Sequence, residues 1–461
     1  MSEISLNLVL HLKSNKILND MAKVQIILGN QTSLAGFYFV ADQFKKKIMP
    51  HVDHFLGKRC RLVGYQYGEI LLAMTGNFFC GGSRTEDINI LKEKLPQHPD
   101  FKLCSPDTVL RMMTELSVDD ISYPSSQENS YRFNTAERLN GLLLYTAVKS
   151  GMIVPGRNYD LDFDHEFLES ETWESLPTYK GFDGLSPGCA VLTDRSTGMD
   201  AIVGIENRDG NTPVKFYQED TLERFLLNIF EAGVKIKNAR MDCGSYTYKV
   251  IQLLLEHCDK IFIRAEMCKS LREKLQDEES NWRTTEIGVQ LMDVLSMKFD
   301  GFGGKVPNCR LVVQRQRKKT GTQLDLFEEG GDNVYIYRAI LTNDWDMSEE
   351  EVIDYYNQRG AKERIFDQMD NDFGWHYLPK GLLKENTVFL LLTSIIRNFY
   401  TILLQNSALR DFGIYATTRM KKFTNRVVSA VAKWTREGRQ NILKIYTQKV
   451  EAYTALFADY G

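Results

Sequence analysis

The sequence has little of what a disulfide-stapled, zinc-bound or membrane-spanning protein needs. Its eight cysteines (Cys60, Cys80, Cys104, Cys189, Cys243, Cys258, Cys268 and Cys309) are scattered along 461 residues with no Cys-x-x-Cys pair. That argues against a structural zinc site and a disulfide framework, and makes reduced thiols the expectation. The longest apolar run, Val388 to Leu404, contains Arg397 and Asn398, which are costly in a span of about 20 residues; a buried helix is expected and no membrane. The start, MSEISLNLVLHLKSN, has no basic opening, continuous apolar run or small-residue cleavage site, so a cytoplasmic protein is expected. Also missing is an excess of positive charge: the formal net charge is −4, so binding to any polyanion has to come from local clusters.

Such clusters are present. Between Arg419 and Lys449 stand nine Lys or Arg against one acid, Glu437, and Lys421, Lys422 and Arg426 are candidate phosphate contacts. Other basic runs are Arg315 to Lys319 and Lys45 to Arg61. Each is also readable as a solvated helix face. Hydrophobic content of 43% and charged content of 26% are those of a folded soluble chain. The length predicts several domains.

Residues 1–30 read as a strand or hairpin start. Ser33 to about Ser117 is patterned as helices, among them SPDTVLRMMTEL with Ser105 as N-cap and Pro106 at the first position. That helix is either a DNA-reading helix exposing Arg111 or an ordinary bundle helix. The polar stretch from Pro124 predicts a boundary, followed by a helix from Thr135 to Ser150. From Tyr159 come three strand-like segments (YDLDFDHEFLE, CAVLTDRSTG, MDAIVGIENRDGN), then helix, strand, helix and strand. The order β-β-β-α-β-α-β predicts a mixed sheet of RNase H-like type with helices on its faces. Residues 270–345 read as an inserted β-rich segment. A long helix is expected from Ser348, with Glu351 at capping-box spacing, to about Asp372, and helix throughout 381–461. The expected divisions are thus a helical DNA-binding region 1–150, a first core part 151–269, the insertion 270–345, a catalytic helix 346–380 completing the core, and a helical basic region 381–461.

Carboxylates stand where chemistry could use them. Asp160, Asp162 and Asp164 recur at intervals of two, so a strand turns all three to one side; a solvated edge and a metal site are both consistent with that. Asp242 ends the strand KIKNARMD, where it serves equally as a helix cap. Tyr356, Arg359 and Glu363, at i, i+3 and i+7, fall on one helix stripe, combining a phenol, a bidentate phosphate donor and a carboxylate.

The segment YNQRGAKE (Tyr356 to Glu363) resembles the Y-x2-R-x3-E signature of bacterial insertion-sequence DDE transposases. RMDCG around Asp242 is similar to that family's second aspartate motif, and LDFDHEF to its first. The likeness extends over roughly residues 33–400. It implies an RNase H-like catalytic core with an inserted β segment, flanked by helical regions. It further implies Asp164, Asp242 and Glu363 as catalytic metal ligands, with Asp162 as a further ligand or the alternative first carboxylate. Two Mg²⁺ or Mn²⁺ ions per site suit such hard oxygen donors. The implied partners are double-stranded DNA, as inverted-repeat ends and target, and a second copy of the chain in a synaptic homodimer; the implied place is the bacterial nucleoid. Tyr356 and Arg359 are implied at the DNA phosphates. Trp282, in the insertion, is either a base-stacking residue or a core tryptophan. The sequence departs from the family at Asp370, where a lysine is usual, and at His165-Glu166, where a small residue and threonine are usual. An inactive DNA-binding regulator and a nuclease without strand transfer are the alternative functions.

Overall fold

The computed structural model describes residues 31–59, 64–95, 102–125, 130–277, 282–285, 289–293, 306, 308–317, 335–361 and 363–460. The expected strand or hairpin start in 1–30, much of the inserted segment, and the ends of two basic runs (Arg61; Lys318 and Lys319) lie outside these residues.

The N-terminal stretch forms α1 (Gly36–Lys47), α2 (Met49–Leu56), α3 (Tyr67–Phe79), α4 (Ile88–Lys94) and α5 (Pro106–Leu116). Helix α5 begins as its sequence predicts, with Ser105 at the N-cap position and proline first. The polar stretch expected to separate domains instead carries a hairpin, β1 (Ile121–Pro124) and β2 (Ser130–Asn134), leading into α6 (Glu137–Lys149). Strands β3 (Asn158–His165), β7 (Gly188–Asp194) and β8 (Asp200–Arg208) are the three predicted in succession. Between the first two lies a small sheet not foreseen, of β4 (Leu168–Glu169), β5 (Leu176–Pro177) and β6 (Asp183–Leu185). Then come α7 (Gln218–Glu231), β9 (Lys235–Met241), α8 (Tyr248–His257) and β10 (Lys260–Ala265).

Among the described residues, eleven strands form one mixed sheet in the order β1-β2-β8-β7-β3-β9-β10-β14-β13-β12-β11. The β8–β7 and β7–β3 pairs are antiparallel, while β3–β9 and β9–β10 are parallel. After α9 (Lys269–Asp277), the predicted β-rich segment supplies β11 (Arg283–Thr284), β12 (Gln290–Asp293), β13 (Arg310–Arg317) and β14 (Tyr335–Thr342). It extends the central sheet, because β14 pairs antiparallel along β10 from Phe262↔Thr342 to Ala265↔Ala339 and so covers an edge that would otherwise be open.

The period-two alternation of the central strands feeds two cores. Cys189 and Val191 of β7 join the core built by the N-terminal helices. Ala190 and Leu192 join Leu222, Phe225, Val250 and Ile251 of α7 and α8 on the other face.

The predicted buried helix is α12 (Leu383–Leu403). By length and apolarity it could cross a membrane, yet 94% of its apolar window is buried within the protein. The contacts of Arg397 and Asn398 explain why it lies there. Arg397 pairs with Asp200 at 2.6 Å. Asn398 accepts from Ile202 N at 3.0 Å and donates to Ile202 O at 2.7 Å. Asn140 of α6 does the same to Ile205, at 2.8 Å in both directions. Two asparagine amides thus take the place of a neighbouring strand along the part of β8 that β2, paired only at Phe133 and Asn134, does not reach.

Two expected helices are corrected. The helix from Ser348 has its capping box, with Glu351 N donating to Ser348 Oγ at 3.3 Å and Ser348 N to Glu351 Oε2 at 2.8 Å. It ends as α10 (Glu349–Asn357), is followed by a 3-10 turn (Gln358–Ala361), and resumes as α11 (Glu363–Asp372). The halves are anchored in different cores: Val352 and Ile353 against Phe262 and Ile340, and Ile365, Phe366 and Met369 among the N-terminal helices and α12. The overwound turn falls between these anchors, at the helix-weakening Gly360. The C-terminal region is not helical throughout. After α13 (Met420–Phe423), β15 (Val431–Glu437) and β16 (Gln440–Tyr446) form an antiparallel hairpin before α14 (Val450–Leu456). Ala432 and Trp434 face the helical core while Lys433 faces out, and Gly438 at φ +60 opens a two-residue turn. Alternation with a glycine turn overrides the helix suggested by the charge run.

Replacing Asn398 with Leu leaves two buried groups of Ile202 unpaired and is expected to lower unfolding free energy by about 2–5 kcal/mol. A urea midpoint indistinguishable from that of the native chain would show that this edge is held otherwise.

Candidate functional site

Strands β3 and β9 run side by side and in the same direction, with Phe163 opposite Met241. The next residue on each is an aspartate, so Asp164 and Asp242 leave the same carboxyl edge of the sheet as neighbours. Asp242 also acts as a cap: its Oδ1 accepts from Gly244 N at 2.9 Å at the start of a 3-10 turn, Cys243–Ser245. A Cβ on Gly244 would lie 2.8 Å from Val214 Cγ1 and 3.0 Å from Asp242 Oδ1, so glycine is what permits this close fold-back. Asp164 Oδ1 accepts from His165 N at 2.9 Å.

The three aspartates of β3 share a face, and each meets a cation that relieves their mutual repulsion. Asp160 accepts from Arg195 at 3.1 Å and from the Tyr355 hydroxyl at 2.8 Å. Asp162 is almost fully buried and held by Arg240 through two bonds, of 3.0 and 2.9 Å. Asp164 pairs with Arg359 at 2.7 Å. Asp162, expected as a further metal ligand or the alternative first carboxylate, has both oxygens engaged by one guanidinium, whereas Asp164 stands beside Asp242 at the strand ends. Arg240, Arg195 and Tyr355 were not singled out by sequence reasoning. The signal was present for Arg240, which lies two residues before Asp242 and therefore on the same strand face.

Helix α10 is docked across these strand ends by its adjacent tyrosines. Tyr355 receives Arg240 on its carbonyl at 3.1 Å and beneath its ring. The Tyr356 hydroxyl donates to Met241 O at 3.2 Å. The 3-10 turn then delivers Arg359 to Asp164, with a further bond from its Nη2 to Phe163 O at 3.3 Å. Arg359 therefore meets Asp164, and Tyr356 the carbonyl just before Asp242, although not along one unbroken helix. Glu363 is the first residue of α11; its side chain lies outside the described residues, as does Lys362. Among the described residues no three His, Cys, Asp or Glu side chains are gathered as a metal-holding group.

Electrostatics at the site favour a cation. Burial, and then the like charge of Asp242, push the Asp164 carboxyl up to about 6 against the opposing pull of Arg359. Burial lowers the proton affinity of Arg359, but the surrounding anions, Asp164 foremost, outweigh it and raise its pKa. Its Nε is buried with no hydrogen-bond partner, a donor left over for another anion. His165 is buried beside Arg208, and its pKa is well below the usual value for these two reasons, so it is neutral.

Asp370, at the position of the usual family lysine, lies on α11. Its Oδ1 is buried without a hydrogen-bond partner. Burial and the nearby Glu166 push its carboxyl up to about 6, with His376 and Lys180 opposing.

The other candidates are dispersed. Arg111 is on the exposed side of α5, whose Val109, Met112 and Met113 are buried in the helical core, as in an ordinary bundle helix. Lys421, Lys422 and Arg426 are exposed around α13, with Arg426 donating to Phe412 O at 3.2 Å. Trp282 is a packing residue of the inserted segment: Arg315 covers its ring at 4.1 Å, Tyr337 lies 6.0 Å away, and its Nε1 donates to Leu275 O at 3.4 Å. Of its two expected roles, base stacking and core packing, these contacts are those of a packing tryptophan with one ring face covered by Arg315. Among the described residues the most exposed large aromatics are Trp173 (80%) and Tyr179 (77%), both on the excursion carrying β4–β6 that follows β3.

Because the folded protein holds the Asp370 proton more tightly than the unfolded chain does, its ionised form costs stability above about pH 6, and the cost fades as pH falls toward 4. Asp370→Asn is therefore expected to raise the melting temperature at about pH 7.5 and to leave it nearly unchanged at about pH 3, where Asp370 is protonated in both the folded and the unfolded chain. Equal shifts at both values would show that charge is not the cause.

No family model matches the chain, and no curated protein sequence matches it. Among solved structures the chain is similar to piggyBac transposase in a cryo-EM synaptic complex with hairpin DNA, at 14% sequence identity and a TM-score of 0.42, over 86% of this chain and 79% of that one. Likeness of that degree establishes neither family nor activity.

Proposed function

We propose that the chain is a DDE-type DNA transposase with an RNase H-like core, cutting DNA at the ends of a mobile element and joining them to target DNA. The observation that carries this reading is the parallel β3–β9 pair, which sets Asp164 and Asp242 together, with Arg359 and Tyr356 of the Y-x2-R-x3-E segment bonded to the same strand ends.

The site suits a hard divalent cation. Two neighbouring carboxylates, one with a raised proton affinity, lack enough positive charge, and oxygen donors select Mg²⁺ or Mn²⁺ over zinc. Asp164 and Asp242 would hold the metal with Glu363 as the third donor, and Asp162 would stay with Arg240. Bound as a pair, such ions activate the attacking hydroxyl and neutralise charge on the leaving oxygen. The chain's own groups position the DNA: Arg359, with its unpartnered Nε, binds a phosphate oxygen, and Tyr356 fixes the turn that carries it. Two ends brought together call for a homodimer, acting in the cytoplasm at the nucleoid.

A second reading, an inactive DNA-binding regulator, draws on Asp370, which lies on α11 near Glu166, at the position where the resembled family has a lysine. Linear DNA carrying the element's ends, incubated with Mg²⁺, Mn²⁺ or EDTA, separates the two. Cleavage should require Mg²⁺ or Mn²⁺ and fall to background in Asp242→Asn and Glu363→Gln, with end binding kept. Strand-transfer products distinguish a transposase from a simple nuclease. Specific binding without cleavage under every metal supports the regulator, and cleavage retained by Asp242→Asn would sink the site assignment.

Calorimetric titration with Mn²⁺ gives a second readout. Affinity should weaken as pH falls through about 6, because protonation of Asp164 competes with the ion. It should be lost in Asp164→Asn and little changed in Asp162→Asn.

A further inference from the structure

The C-terminal hairpin has a built root and a free tip. At the root, Ala432 exchanges hydrogen bonds with Thr32, at 2.9 Å in each direction. Trp434 meets Tyr38 edge-on at 5.3 Å, and Leu443 and Ile445 pack on the helical core. The ribbon's direction is therefore fixed. From Arg436 to Asn441 every residue is exposed, so the tip stands away from the body around the Gly438-Arg439 turn.

Its charge is unbalanced in a specific way. Lys444 is paired with the hairpin's single acid, Glu437, at 2.5 Å. Lys433, Arg436 and Arg439 are exposed and have no ion-pair partner among the described residues. Lys433 shares the outward face with Lys444, and beside them the cross-strand pair Val431 and Tyr446 is 41% and 55% exposed. In a chain of net charge −4, three unpaired cations on one protruding ribbon make an acceptor for a polyanion. Two strands about 4.8 Å apart with their side chains match the roughly 12 Å width of the major groove.

We propose that the β15–β16 ribbon is a DNA-docking element, separate from the carboxylate site, that lies in a groove of duplex DNA with Lys433, Arg436 and Arg439 on the phosphates. This rests on the reading of the chain as a DNA-processing enzyme. The competing role for the cations is to keep an exposed strand edge from pairing with another chain.

The test is fluorescence anisotropy of full-length protein with a labelled duplex of arbitrary sequence, in EDTA so that no cleavage occurs, over a series of salt concentrations. Lys433→Gln/Arg436→Gln/Arg439→Gln is expected to bind roughly 10–100-fold more weakly, with the slope of log K against log salt reduced by about 3. Arg436→Lys/Arg439→Lys should keep both affinity and slope. If the native chain binds and the triple variant matches it in affinity and slope, the ribbon proposal is overturned while the functional reading stands. If the native chain binds no duplex at all, the functional reading falls with it. Should the triple variant melt early, Arg439→Gln at the exposed turn replaces it, with an expected slope reduction of about 1; no change there also overturns the proposal.

Discussion

The candidate site depends on the parallel pairing of β3 with β9. Adjacent parallel strands in register end at the same edge, so two aspartates more than seventy positions apart become neighbours. Two carboxylates at one edge repel, and the structure manages that repulsion by stacking arginines against the acidic face of β3. Arg195 and Arg240 serve the inner two aspartates, and Arg359 the outermost. The inner pairs are buried or half-buried and structural. The outermost lies where the sheet meets solvent and where the like charge of Asp242 is felt.

That arrangement explains why the helix carrying Arg359 is interrupted. Its first half is tied down by Tyr355 and Tyr356 over the strand ends, and its second half is buried with α12 on the helical side of the sheet. A straight helix would have to satisfy both anchors along one axis. The 3-10 turn divides them and aims Arg359 at Asp164. Helix α12 has the complementary task on the far side, where asparagine amides finish the hydrogen bonding of β8 and fix the helical layer to the sheet. An apolar helix with an arginine and an asparagine in its interior is otherwise hard to explain.

The same physics shows where the sequence was legible and where it misled. The β-β-β-α-β-α-β order was readable because alternation and turn residues are local signals, as in Cys189 to Asp194 and the Asp209-Gly210 turn. The capping box at Ser348 was readable for the same reason. The continuous helix from Ser348 to Asp372 was not, because its break is imposed by two cores that no local pattern reveals. The C-terminal hairpin is hidden in the sequence because the run of lysines and arginines obscures the alternation of Ala432, Lys433 and Trp434. Trp282 looked available only because Arg315, which covers it, arrives from a strand paired in the sheet.

The sequence by itself determined which residue types stand where: acidic positions at strand ends, a tyrosine and an arginine three apart, and a cluster of cations near the C-terminus. These are facts of residue type and spacing, and they hold whatever the packing. Tertiary structure decided how the groups are used. Only the register of β3 on β9 makes neighbours of Asp164 and Asp242, and only the bond to Arg240 withdraws Asp162 from the site. Only burial of the strand end, with the like charge of Asp242 beside it, raises the proton affinity of Asp164. Such properties arise from long-range contacts and from the removal of water, which local sequence does not encode.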